Sequence, residues 1–406
     1  MKPPVPSALL ESRRILVCVG CGGVGKTTIS AAVALEAARR GRRALVLTID
    51  PARRLADALG TGPLAGGEPQ EIPRERLRAL GVPDDGALFA LMLDVKGTLD
   101  GLVERFAEDE AARSRILGNR IYQHVSDALA GSAEYSAMEK VYELSQLERF
   151  DLIVVDTPPS QHAIDFLEAP RRLLEFIDSR LVKLLLHPAL SAGRFGFRLF
   201  QRSAFRVLQL IERVSGLGFL EDVSEFLMAF EGMAEGFRER ARRVEALLLG
   251  PEAAFVLAAG AAGESVQHGQ ALLGRLEAAG VPLAGVVMNR VRTWPGGGPP
   301  PAQIPPAGRA AEAQAALAQA LAEDAGDAVF PAEDAAAAAI DATRRHAEVV
   351  GRQAQACDDL HSYALRRGLF WRIVPELPRD VHDLEGLAQI ARHVFAPEEG
   401  RGEAPQ

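Results

Sequence analysis

The chain has 406 residues, of which 48% are hydrophobic and 25% charged, with a formal net charge of -8. That is enough apolar material for a sizeable core, which excludes a disordered chain, and the acidic balance excludes a general nucleic-acid binder, so no nucleic-acid partner is expected. Three cysteines, an odd count, indicate neither a disulfide framework nor a zinc knuckle, and no stretch supplies the ~18 uncharged apolar residues of a membrane span, so a cytoplasmic protein with at most peripheral membrane contact is expected.

The apolar run Ile15-Leu16-Val17-Cys18-Val19 reads as a strand, and the small residues from Ile29 to Ala34 read as a helix. Between them lies Gly20-Cys21-Gly22-Gly23-Val24-Gly25-Lys26-Thr27, the spacing G-x-x-x-x-G-K-[ST]. In that pattern successive backbone N–H groups curl around a nucleotide's phosphates at the positive end of a helix. Gly22, Gly23, Val24, Gly25, Lys26, Thr27 and Thr28 are the candidate phosphate cradle. Lys26 would sit between the β- and γ-phosphates, and the Thr27 hydroxyl would face Mg²⁺.

Arg43 to Ile49 reads as a second buried strand and ends in Asp50, a carboxylate at the sheet edge where open α/β folds bind ligands. The span Gly60 to Gly86 is rich in proline and glycine and reads as loop, Leu88 to Asp94 as a strand, and Lys96 to Glu148 as helices. Phe150 to Pro159 is an apolar strand ending in Asp156-Thr157-Pro158, the form of a Walker B segment, which makes Asp156 the candidate magnesium-side carboxylate. Strands at Ala254 to Ala259 and Leu283 to Asn289, separated by one helix, give βαβ units, and Phe370 to Val374 adds a last strand.

The predicted fold is an α/β P-loop NTPase with a mainly parallel, doubly wound sheet and an α-helical insertion. Residues 1–169 and 250–395 form the core and 170–249 the insertion. Residues 294–342 are an insert rich first in glycine and proline and then in alanine, and 396–406 are a frayed tail. Ten of the 17 phenylalanines lie between Phe166 and Phe237, and Leu220, Val223, Leu227, Phe230, Met233 and Phe237 recur at helical spacing. That face is either the insertion's own core or a groove for a hydrophobic client. Arg194, Arg198, Arg202 and Arg206, interleaved with Phe195, Phe197, Phe200 and Phe205, form a candidate lipid-facing or dimer-facing patch.

The glycine loop, the Asp50-Pro51-Ala52 segment and Asp156-Thr157-Pro158-Pro159-Ser160-Gln161-His162 together resemble the arsenite-pump-driving and tail-anchored-protein-targeting ATPases, which are P-loop proteins of the deviant Walker A class. Asn289 after an apolar strand and Val374-Pro375-Glu376-Leu377 extend the resemblance. It implies a Mg-dependent ATPase that works as a dimeric switch. Asp50 would orient or activate the attacking water, Lys26 would contact the phosphates, and Thr27 and Asp156 would serve the Mg²⁺ shell, Asp156 through water. Asp156, Thr157, Pro158 and His162 would belong to the γ-phosphate switch, and Asn289 and Pro375 to the base pocket.

Three features depart from that family. Its signature lysine, two residues into the loop, is Cys21 here. The zinc-holding cysteine pair that staples dimers of the targeting ATPases is unmatched, and neither a methionine-rich client groove nor an arsenite-binding cysteine trio is evident. The resemblance therefore implies either a homodimer or a heterodimer with a lysine-bearing paralogue, coupled to a hydrophobic client, a membrane-associated protein or a lipid. The alternative is a positioning or partition ATPase of the same superclass.

Overall fold

The computed structural model describes residues 5–50, 54–64, 66–120, 122–123, 132–158, 219–296, 298–301, 304, 310–325 and 331–396, with single positions between 166 and 175, and of 219–232 the backbone alone. In chain order the described elements begin with α1 (Pro6–Ser12), β1 (Ile15–Gly20), α2 (Lys26–Arg39), β2 (Arg43–Thr48) and α3 (Arg54–Leu59). There follow β3 (Gln70–Glu71), α4 (Arg74–Arg78), β4 (Ala87–Met92), α5 (Val95–Phe106), α6 (Glu110–Gly118), α7 (Ser132–Gln146) and β5 (Leu152–Asp156). The remainder is α8 (Phe219–Leu249), β6 (Ala253–Gly260), α9 (Gly263–Ala278), β7 (Leu283–Val291), α10 (Ala311–Ala325), α11 (Ala332–Arg366), β8 (Phe370–Pro375) and α12 (Leu384–Phe395).

Eight strands form one sheet in the order β3-β4-β2-β5-β1-β6-β7-β8, parallel except for the short edge strand β3. The central strands are apolar along their interior because both faces are covered, with polar residues only at their ends. Side chains alternate between the two layers as a strand's period of two requires. Ile15, Val17 and Val19 enter the core under α5 to α9 and α11. Leu16 and Cys18 enter the core under α1 to α4 and α12.

β1 lies between β5 and β6, so the chain leaves it toward one side of the sheet and later crosses to the other. Ligands bind at that switch point, beyond the carboxyl ends of the strands. Gly20, Thr48, Asp156 and Asn289 all lie at or near those ends.

One local expectation needs correction. The span Gly60 to Gly86 is not all loop: Gln70 pairs with Ala90 to make the edge strand, and α4 seats Leu77 in the core. The segment ahead of β1, which shows too few residues for a periodic pattern, forms α1 with Pro6 in its first turn and Leu9 and Leu10 buried. The helix that takes up the end of the alanine-rich stretch, α11, continues unbroken to Arg366, and its second half seats Cys357, Leu360 and Ala364 in the core. A run of alanines hides that continuity, since low-contrast composition leaves no apolar stripe to follow.

Of the phenylalanine-rich insertion, Met233 and Phe237 are buried in the main core, with the Phe237 ring 5.6 Å from that of Phe106. At this end the repeating face is core packing. Arg240 on the same helix makes a buried, two-oxygen ion pair with Glu139 of α7, with Nε 2.7 and 2.9 Å from the two carboxylate oxygens, and its guanidinium stacks on Tyr142. The side chains of Leu220, Val223, Leu227 and Phe230, and the Arg194 to Arg206 patch, lie outside the described residues.

Candidate functional site

The loop after β1 turns directly into α2, whose N-cap is Gly25 at φ 88. That left-handed backbone, together with the Asn289 amide standing where a β-carbon would project, requires glycine at this position. No side chain caps the helix and its first turn carries no acid. The leading N–H groups and the positive end of the helix macrodipole are thus left for an anion.

Lys26 opens α2 and is only 8% exposed; its ammonium donates to the Cys21 carbonyl at 2.9 Å. Burial lowers its pKa, and the nearby Asp156 carboxylate works against that. The Thr27 hydroxyl donates to Asp156 Oδ2 at 2.6 Å, and the Thr48 hydroxyl donates to the same oxygen at 3.0 Å. The Asp50 N–H in turn donates to the Thr48 hydroxyl at 3.3 Å, so a short polar chain ties the ends of β2 and β5 to the start of α2. Burial pushes the Asp156 carboxyl up to about 6, opposed by the two threonine hydrogen bonds and by Lys26. Beyond it, the Thr157 hydroxyl donates to the Cys18 carbonyl at 2.7 Å and fixes the strand end against β1.

Asp156 Oδ1 is buried and has no hydrogen-bond partner among the described residues. A buried carboxylate oxygen left unmet beside a hydroxyl and a phosphate-binding loop fits a hard cation that takes oxygen ligands and keeps part of its own hydration. The donor set therefore suits Mg²⁺, and the cradle suits a polyphosphate.

Lys26, Thr27, Asp50, Asp156, Thr157 and Pro158 line one cavity of about 320 Å³ together with Arg54 and Arg290. A second cavity of about 280 Å³ adjoins it, sharing Thr28, Arg290, Val381 and His382, and is lined also by Asn289 and Pro375. The Asn289 amide donates to the Val24 carbonyl at 2.8 Å, which leaves its Oδ1, also without a partner among the described residues, as the acceptor it offers. Sequence reasoning gives this amide to a base as both donor and acceptor; one of its two N–H groups is engaged by the phosphate loop, which leaves the second N–H as well as Oδ1 to offer. A larger cavity of about 400 Å³ under α5 and α7 is lined by Glu68, Asp94, Glu104, Glu139 and Glu143 against Arg105 and Lys140, an acidic balance that disfavours phosphate.

Three residues of the site escape the sequence reading. Thr48 closes β2 and looks like any polar strand end. Arg54 follows Asp50 by four residues, a spacing that hints at their ion pair. Arg290, at a left-handed φ of 55 beside an irregularity in the β7–β8 register, has no sequence signal. Cys18 and Cys21 stand at C-x-x-C spacing, which the cysteine count passes over. Cys18 is a buried strand residue whose thiol burial pushes up to about 12, and both are free thiols. Ser160, Gln161 and His162 lie outside the described residues.

Residues 13–293 match the anion-transporting ATPase family. Among curated relatives, a Halobacterium salinarum protein named as an arsenical pump-driving ATPase is 32% identical over 42% of this chain and 26% of its own length. The ATPase GET3 of Malassezia globosa is 26% identical over 42% of this chain and 46% of its own length. The ATPase ARSA1 of Chlamydomonas reinhardtii is 27% identical over 58% of this chain and 34% of its own length. The match thus spans between about a quarter and a half of these relatives. No helix among the described residues is long and apolar enough to cross a membrane. With a family match across more than half of its length, centred on the loop, strands and carboxylates just described, the chain belongs to the anion-transporting ATPase family.

Proposed function

We propose that this protein binds ATP with Mg²⁺, hydrolyses it to ADP and phosphate, and acts as a dimeric switch that couples nucleotide state to a hydrophobic or membrane-associated client. The observation that carries the reading is the contact of the Thr27 hydroxyl with Asp156 at 2.6 Å beside an unmet Asp156 Oδ1, within the cavity that also holds Lys26 and Asp50. Mg²⁺, when bound, supplies charge that offsets the crowded phosphate oxygens. Thr27 and Asp156 hold its side of the site. The N–H groups of residues 22–28 and the Lys26 ammonium bind the phosphates. Asp50 orients the attacking water and accepts its proton. Asn289 and Pro375 bind the base, and His162 serves the switch.

In this reading residues 1–169 and 250–395 form the nucleotide-binding core, and 170–249 provide the client or dimer surface. Cys21 cannot serve as a cation for a partner's phosphates, so the partner is either a second copy that works without that lysine or a paralogue that carries it.

The test is Mg-dependent ATP turnover over a wide range of protein concentration, with Lys26→Ala as the blank. Specific activity that rises with concentration supports a homodimer that hydrolyses ATP. Activity at the blank's level throughout, with nucleotide bound, refutes self-sufficient hydrolysis and points to the paralogue. Failure to bind nucleotide more tightly than Lys26→Ala refutes the reading altogether.

A further inference from the structure

Among the described residues, three cationic side chains line the phosphate cavity, and they differ in their setting. Lys26 is buried, with its ammonium on the Cys21 carbonyl. Arg290 lies 3.9 Å from Asp380 on the side toward the second cavity. Arg54 opens α3 with its side chain 67% exposed, and its guanidinium Nη1 lies 3.4 Å from Oδ2 of Asp50, the carboxylate assigned to the attacking water. Arg54 is close enough to Lys26 for its charge to help lower that lysine's proton affinity, so both cations act on one small volume.

An exposed arginine–carboxylate pair is weak, because water screens it and both side chains lose freedom in making it. A terminal phosphate offers the guanidinium fork two or three oxygens of higher charge, a better partner than one carboxylate oxygen. While Arg54 faces Asp50, one oxygen of the presumed base is engaged. When the guanidinium leaves, its hold on that oxygen ends.

Resting on the ATPase reading above, we propose that Arg54 is a further catalytic residue that exchanges partners: it holds Asp50 until a nucleoside triphosphate arrives, then moves to the terminal phosphate and releases its hold on Asp50. In the reaction the water oxygen bonds to the γ-phosphorus, and the bond from that phosphorus to the β–γ bridging oxygen breaks with its electron pair leaving on ADP. The water's proton passes to Asp50. Arg54 stabilises the charge on the transferring phosphoryl group from within the same chain. A cation in the loop at position 21 is then not the sole means of supplying positive charge there.

The experiment compares equilibrium binding of Mg·AMP-PNP and Mg·ADP, along with ATP turnover, for the full chain and for Arg54→Ala, Arg54→Lys, Asp50→Asn and the Arg54→Ala/Asp50→Asn double variant. The expected result for Arg54→Ala is AMP-PNP binding weakened about 10-fold or more, with ADP binding within about twofold of the parent and kcat down at least about 100-fold. Arg54→Lys should recover part of the triphosphate preference. Asp50→Asn should tighten AMP-PNP binding about threefold in the parent and not in Arg54→Ala, the non-additivity expected of two groups that compete for one partner. Arg54→Ala that keeps the parent's AMP-PNP to ADP ratio and kcat overturns the proposal while leaving the ATPase reading intact. So does additivity of the two substitutions. A parent chain that binds AMP-PNP no better than Lys26→Ala overturns both.

Discussion

Replacing Asp156 by asparagine removes a buried charge but keeps an oxygen for the Thr27 and Thr48 hydroxyls. Burial lifts the Asp156 carboxyl from its ordinary 3.8 to about 6. The folded protein therefore binds more protons than the unfolded chain between about pH 4 and 6, and stability falls as pH rises through that window. Above it the full cost is present, about two pH units at ~1.4 kcal/mol each, or about 3 kcal/mol. The new amide N–H has no partner at the Oδ1 position and returns about 1 kcal/mol of that. Without nucleotide or metal, Asp156→Asn should thus be about 2 kcal/mol more stable than the parent at pH 7.5, with the gap closing toward pH 4. Urea denaturation at several pH values measures it. Added Mg²⁺ with ADP should stabilise the parent and leave the variant nearly unmoved. A variant that is no more stable at pH 7.5, or whose advantage does not depend on pH, would refute the assignment of Asp156 as a charge held ready for a cation.

The same ionisation sets the pH response of ligand binding: Mg-dependent nucleotide affinity should fall below about pH 6, by at most tenfold per pH unit, and titration calorimetry across pH 5 to 8 checks it. Breaking the buried pair with Arg240→Leu strands the Glu139 charge and should cost about 3–5 kcal/mol, while adding Glu139→Leu should restore most of that; thermal unfolding of the three proteins decides. Asn289→Ala leaves the Val24 carbonyl unmet and loosens the phosphate loop, so ATP and ADP should both weaken about tenfold with their ratio unchanged. A loss confined to ATP would mean that the amide acts on the γ-phosphate instead.

Local chemistry made the centre of this protein readable. The phosphate loop needs glycines, a lysine and a hydroxyl at fixed spacing, and the flanking strands are apolar along their interior because the sheet is covered on both sides, so loop, sheet and Asp156 are legible together. What stayed hidden depends on contacts between distant segments. Asn289 reads as a strand-end amide, but its bond to the Val24 carbonyl, which determines what it can still offer a ligand, exists only once β7 lies near β1. The pair of Met233 and Phe237 fits a core or a groove equally well by spacing, and the packing of α8 onto Phe106 decides for core. Arg54 and Arg290 carry no motif because a guanidinium needs only proximity to act, and proximity is a property of the assembled edge.

The long reach of the Asn289 bond also bears on how the protein is made. β1 is made before its neighbours β5 and β6, which follow more than 100 and 200 residues later, and the amide that braces the phosphate loop comes 265 residues after Val24. At about 5–20 residues per second, the ribosome leaves the loop unbraced for between about 13 and 50 s. Through the first half of that interval the apolar central strand has neither edge paired, and until its end the nascent chain is a client for holding factors rather than a nucleotide binder. Nascent chains stalled with β7 still inside the exit tunnel should therefore fail to retain ATP, and chains extended past Val291 should begin to do so.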